Sequence, residues 1–128
     1  MIIINFTHPI TPAQQTQVES QIGRSLAAVH TIPTQLDNGR PFAQQIEALI
    51  NGVPLTPDQW QTTPILINPP AYAPAVAVLL AQLHGRTGHF PTIIRIRPVP
   101  NTTPAQFEVA ELINLQTERD AARHNRQS

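Results

Sequence analysis

The decapeptide ILINPPAYAP, residues 65–74, carries three apolar residues into Asn68 and then meets Pro69, Pro70 and, further on, Pro74. Proline has no backbone N–H to give to a strand ladder, and the residue before it is driven to extended backbone. The stretch therefore reads as a strand that stops at an amide side chain and a stiff turn. Beyond the turn, Pro74 suits the first turn of a helix, and residues 75–83 are apolar except for Gln82. Strand, short loop and apolar helix make one unit of an α/β fold.

The same alternation continues on either side. Ile2–Phe6 is a strand apolar on both faces, Ala27–Ile32 a second and weaker one, and Pro64–Asn68 a third. Between the second and third, Phe42, Ile46, Leu49, Ile50 and Val53 recur at helical spacing, so an amphipathic helix is expected to end at Gly52. Thr-Pro-x-Gln occurs at Thr11–Gln14, Thr56–Gln59 and Thr103–Gln106. Threonine N-cap, proline at the first helical position and glutamine at the third form a capping box, so each copy predicts a helix start. Gly23 closes the first of these helices, and Pro74–His84 is a helix that Gly85 closes. Thr92–Val99 is a strand with Ile94 and Ile96 facing away from Arg95 and Arg97. Phe107–Leu115 keeps strand alternation except at Glu111, while Val109, Leu112 and Ile113 would suit a helix. We take a strand to Asn114 and a charged helix over Gln116–Arg126. The prediction is α/β: a single Rossmann-like domain over residues 1–128, with a mostly parallel sheet covered by helices on both faces. The last two strands have no obvious helix between them, which allows an antiparallel pair.

Composition narrows the function. The chain has 128 residues, 41% hydrophobic and 12% charged, with a net charge of zero. DNA or RNA binding through the backbone needs a clustered basic surface, so no DNA partner is expected. There is no cysteine, hence no disulfide and no thiolate site. The opening MIIIN is too short for a signal peptide and no segment reaches the length of a membrane span, so a cytoplasmic protein with no membrane partner is expected.

In open α/β sheets ligands sit beyond the carboxyl ends of the strands, where the strand order reverses. Two strand ends carry similar punctuation here, Asn5-Phe6-Thr7-His8-Pro9 and Asn68-Pro69-Pro70, and each leads to a helix N-terminus that favours an anion. Asn68 can donate to and accept from a base edge or a ribose hydroxyl; its alternative role is a turn cap. His8 can stack, donate to a phosphate or carry a proton, or it sits in a loop without a role. Thr7, His8, Asn68, Pro69 and Pro70 are the candidate ligand contacts. Arg86 is a further candidate phosphate contact, or a charge at a helix C-terminus.

Other constellations carry less. Of five histidines only His84 and His89 lie close in sequence, and no acidic residue joins them at ligand spacing, so neither metal nor cofactor is expected. Gly85–Gly88 follows a helix and so fails the context of a phosphate loop. Asp37, Asn38, Gly39 and Arg40 read as a solvated turn. No Gly-x-Ser-x-Gly is present, and no catalytic pair of carboxylates stands out. The helix at 73–83, with Gln82 its only polar residue, is apolar all round. The sheet takes one face, and a second subunit is expected on another; the alternative is cover by the C-terminal segment.

The strings INFTHPIT (4–11), Trp60 ahead of PILINPP (64–70), LHGRTGHFP (83–91), RIRPVP (95–100) and FEVAELINLQTERDAAR (107–123) resemble, almost end to end, a family of small accessory proteins of type III CRISPR systems. The resemblance implies a Rossmann-like binder of cyclic tetra-adenylate. It would hold the ring at the interface of a homodimer or higher homo-oligomer, through Thr7, His8, Asn68, Pro69, Pro70 and Arg86. Such a protein either sequesters this antiviral signal or degrades it as a metal-independent ring nuclease. In the second case the ribose 2′-OH attacks its own phosphate with His8 as acid or base. No partner for His8 is evident, so sequestration without a catalytic residue is favoured. An unrelated nucleotide-dependent enzyme and a structural subunit of a larger complex are the rival classes.

Overall fold

Ile2, Ile3 and Ile4 are apolar on both sides of an extended chain, and such a strand needs cover on both faces. In the computed structural model, which describes residues 1–127, it is β1 (Ile2–Asn5), lying between β2 (Ala28–Thr31) and β3 (Ile65–Asn68). The sheet continues through β4 (Thr92–Pro98) to β5 (Phe107–Asn114), giving the order β2-β1-β3-β4-β5. The first four strands are parallel, and β5 runs antiparallel to β4. From β1 the chain moves outward through α1 (Pro12–Ile22) to β2. It then returns through α2 (Phe42–Asn51) and α3 (Pro57–Thr62) to β3, and α4 (Ala73–Thr87) leads on to β4. The direction of winding therefore reverses between β1 and β3.

The two faces are separately filled. Ile2, Ile4, Phe6 and Ile67 meet Ile46 and Ile50 of α2, Trp60 of α3, and Ala75, Leu79 and Leu83 of α4. Ile3, Leu66, Ile94 and Val109 meet Val18 of α1. The fold is α/β with helices on both faces, as predicted. No helix among the described residues is long and apolar enough to cross a membrane.

Four local expectations change. Thr103–Gln106 starts no helix: it lies in the β4–β5 connection, where the Val99 N–H donates to the Gln106 carbonyl at 2.8 Å. The other two copies are capping boxes, with the Thr11 and Thr56 hydroxyls accepting from Gln14 and Gln59 N–H. No turn of helix can follow the third, because the next residues are claimed by the β4 ladder. The irregular spacing around Glu111 is a β-bulge at Ala110. Arg95 pairs with Glu111 and Ile96 with Val109, so one residue of β5 has no counterpart. That shift puts Glu108 and Glu111 on one face, opposite Arg97 and Arg95, and Val109 and Leu112 on the other. The last helix, α5 (Leu115–His124), starts one residue earlier than expected, because the Asn114 side chain accepts from Thr117 N–H.

The fourth change is at the end of α4, which runs past Gly85 to Thr87 and closes at Gly88, φ 85°. Of the two glycines at this end, Gly88 and not Gly85 has the left-handed backbone that favours glycine. A Cβ at Gly85 would meet open space. Gly85→Ala should therefore raise unfolding stability by roughly 0.5–1 kcal/mol, and Gly88→Ala should lower it by about 1–2 kcal/mol, both read by urea denaturation. Destabilisation by Gly85→Ala would move the helix end back to residue 85.

Candidate functional site

β1 and β3 pair in register, so Asn5 and Asn68 end their strands side by side. Both side chains are buried, with Asn5 at 0% and Asn68 at 4% exposure. A buried amide must satisfy a donor and an acceptor, and groups with no choice set the orientation here. The Thr7 N–H can only donate and gives to Asn5 Oδ1 at 3.2 Å; the His8 carbonyl can only accept and takes from Asn5 Nδ2 at 2.9 Å. Asn5 Oδ1 is thereby an acceptor, and Asn68 presents its Nδ2 to it at 2.9 Å. Asn5, not Asn68, shapes the turn after its strand. The Asn68 Oδ1 is left over. Among the described residues nothing donates to it and no sealed side-chain oxygen lacks a partner, so this oxygen opens on the cleft that Asn68 lines.

Two hollows flank the loop Thr7-His8-Pro9. One, of about 550 Å³, lies toward β4 and is walled by Asn68, Pro69, Ile94, Ile96 and Phe107. The other, of about 590 Å³, lies toward the segment after β2 and is walled by Phe6, Thr34, Leu36, Pro70 and Tyr72. Thr7 and His8 line both, so the ridge between them carries the short polar groups. Among the described residues around the two hollows there is no carboxylate, which suits a ligand bearing negative charge.

The prolines account for the first hollow. In the parallel ladder Leu66 pairs with Thr92 and Ile67 with Ile93, and the pairing goes no further. Continuing it would require an N–H from residue 69, which is proline. β4 runs on to Pro98, so among the described residues its edge from Ile94 onward has no strand beside it on the β3 side.

The two helix N-termini differ. At α1 the capping box occupies the Gln14 and Thr11 N–H groups, and Pro12 has none. The N-cap of α4, Tyr72, makes no side-chain hydrogen bond, and α4 is the helix that follows the Asn68-Pro69-Pro70 turn. Ala73 is exposed and offers a first-turn N–H to an anion, whereas Ala75 is fully buried in the core. Each end therefore keeps one exposed residue whose first-turn N–H no side chain among the described residues takes, Ala13 in α1 and Ala73 in α4.

Thr7, His8, Asn68, Pro69 and Pro70 come together at the sheet's carboxyl edge, as the sequence predicted. Arg86 does not join them. The fifteen-residue α4 carries it about 20 Å along the axis, to the far end, where it lies 5.9 Å from the Trp60 ring centre and donates to Asn51. Sequence reasoning passed over Asn5 and Arg95. Asn5 carried a readable signal, since it ends its strand with the same residue type as Asn68. Arg95 lines the first hollow, but its guanidinium is engaged by Glu111 at 2.7 Å. The His8 side chain is exposed, and among the described residues nothing hydrogen-bonds its ring. No three His, Cys, Asp or Glu side chains among the described residues cluster as a metal site would require.

Comparison of the chain with protein-family models, with curated proteins and with solved structures finds no match to any of them.

Proposed function

We propose that the carboxyl-edge crevice binds a nucleotide second messenger, cyclic tetra-adenylate, between subunits of a homo-oligomer and sequesters it. The observation that carries this is the Asn5–Asn68 pair at the reversal between β1 and β3. It fixes the Thr7–His8 turn and turns one unsatisfied amide oxygen toward a cleft of nucleotide size. The uncapped α4 N-terminus beside it suits a phosphate, and the ring itself is named by the sequence resemblance. A second subunit is favoured by α4, whose outward stripe of Ala73, Ala77, Ala81 and Gly85 is exposed and apolar. The protein should sediment as a dimer or larger at micromolar concentration and grow on ring addition, since a symmetric ligand bridges symmetric copies. A monomer under both conditions would remove the oligomer from the proposal.

A second reading, a metal-independent ring nuclease, is favoured by one observation: His8 stands exposed on the ridge. A general base needs a fixed approach to its proton, and among the described residues no side chain hydrogen-bonds this ring. Incubated with labelled ring, the protein should retard it in a gel and leave it intact over hours, and His8→Ala should change affinity alone. Repeated turnover by the wild type, lost by about 10²–10⁴-fold in His8→Ala, would establish the nuclease. If the ring does not bind, a thermal-shift screen of other nucleotides separates the rival classes. A stabilising nucleotide points to an unrelated enzyme, and none at all to a structural subunit.

A further inference from the structure

We infer that the free edge of β4 reads the base: the Ile94 carbonyl and the Ile96 N–H, with Asn68 Oδ1 beside them, form a slot for the amino edge of adenine. This rests on the crevice being a nucleotide site, and it names the part of the site that selects an amino-bearing base over a keto one.

The phase of β4 determines which backbone groups face the cleft. Leu115 N–H donates to the Pro91 carbonyl and Val99 N–H to the Gln106 carbonyl, so the odd-numbered residues of β4 point their backbone groups at β5. The even-numbered ones point the other way. Thr92 and the Ile94 N–H belong to the ladder with β3. The Ile94 carbonyl is the next group along, and the position opposite it is Pro69, which has no N–H to give. Two residues on, the Ile96 N–H faces the same cleft, with no strand beside it among the described residues.

A carbonyl followed by an N–H on one strand edge is an acceptor next to a donor. Adenine carries the complement, an N6 amino donor next to a ring-nitrogen acceptor, on both its Watson–Crick and its Hoogsteen edge. Asn68 adds the selectivity. Its side chain alternates to the same face of the sheet as Leu66, and its spare Oδ1 is a second acceptor lining the same hollow. An exocyclic amino group has two hydrogens and can satisfy both acceptors. The keto oxygen of guanine, hypoxanthine or uracil placed there would set oxygen against oxygen, so the slot selects for an amino group beside a ring nitrogen, a pair that cytosine shares with adenine. Ile93, Ile96 and Phe107 supply apolar walls for the faces of the base, and Phe107 is 54% exposed at the mouth. Gln14 does not compete: its Oε1 takes the Thr11 N–H and its Nε2 donates to the Phe107 carbonyl.

Two changes test the slot without touching the rest of the crevice. The first is in the ligand: a cyclic tetranucleotide of N6,N6-dimethyladenosine, which keeps ring, phosphates and stacking surface but has no N6 hydrogen. It should bind at least about hundredfold more weakly than cyclic tetra-adenylate, because a site built for a hydrogen bond rejects the analogue that lacks it. The second is Ile96→Pro. It removes a cleft-facing N–H while leaving the ladder to β5, a position where an edge strand tolerates proline, and it should weaken adenine-ring binding at least about tenfold. Should the proline variant not fold, the ligand comparison decides. Equal affinity for the two rings overturns the base slot and leaves the crevice as a ring site. Failure of both rings to bind removes the crevice proposal, and the slot with it.

Discussion

Asn5→Ala should lower the stability of the protein by about 2–4 kcal/mol, a large part of the ~5–15 kcal/mol that holds a domain together. One side chain, fully buried at the end of β1, satisfies the Thr7 N–H, the His8 carbonyl and the Asn68 amide. Alanine strands all three. The two loop groups stand next to the crevice and can regain water. The Asn68 amide cannot do so readily at 4% exposure, and an unpaired buried donor bears most of its desolvation cost. Asn5→Asp is the companion: it keeps acceptors for Thr7 and Asn68 but faces the His8 carbonyl with an oxygen. It should fall between wild type and alanine in urea denaturation. A change within ~0.5 kcal/mol for Asn5→Ala, the usual range for a neutral surface site, would show that the network does not organise the turn.

Asn68→Asp should cut affinity for cyclic tetra-adenylate at least about hundredfold, worth ~2.7 kcal/mol, and Asn68→Ala at least about tenfold. The aspartate has no N–H for Asn5 Oδ1. Asn5 cannot turn over to help, because it would then oppose both the Thr7 N–H and the His8 carbonyl. Two oxygens are forced together at the site of the 2.9 Å hydrogen bond, and a negative charge enters a hollow whose described lining holds no other carboxylate. Both variants lose stability as well, so affinity is to be measured well below their melting temperatures by calorimetry. Wild-type affinity in Asn68→Ala would confine Asn68 to holding the two strand ends together.

Much of this was legible because local chemistry and fold agree. The triple isoleucine of β1 could only be a strand covered on both faces. Two of the three Thr-Pro-x-Gln boxes start helices, since nothing competes for their backbone. The third fails because β4 and β5 claim the chain on either side, a tertiary preference that no local window contains. The bulge at Ala110 was half legible: the break in alternation at Glu111 shows in the sequence, but that one residue of β5 is left without a counterpart shows only in the pairing with β4. Strand-end punctuation located the crevice, while the polar hub within it lay in a register, Asn5 beside Asn68, that a linear reading does not display. Arg86 was misplaced for want of a length argument. A residue at the end of a fifteen-residue helix is a full sheet-length from that helix's start.

The most direct test is a titration of the ¹⁵N-labelled protein with cyclic tetra-adenylate, following the backbone amides. Shifts should concentrate on Thr7 and His8, Ala71–Ala73 at the start of α4, and Ile96, with Asn51, Trp60 and Arg86 at the opposite end unmoved. An unchanged spectrum at saturating ring, or shifts gathered around Trp60 and Arg86 instead, would contradict a ligand site at the reversal between β1 and β3.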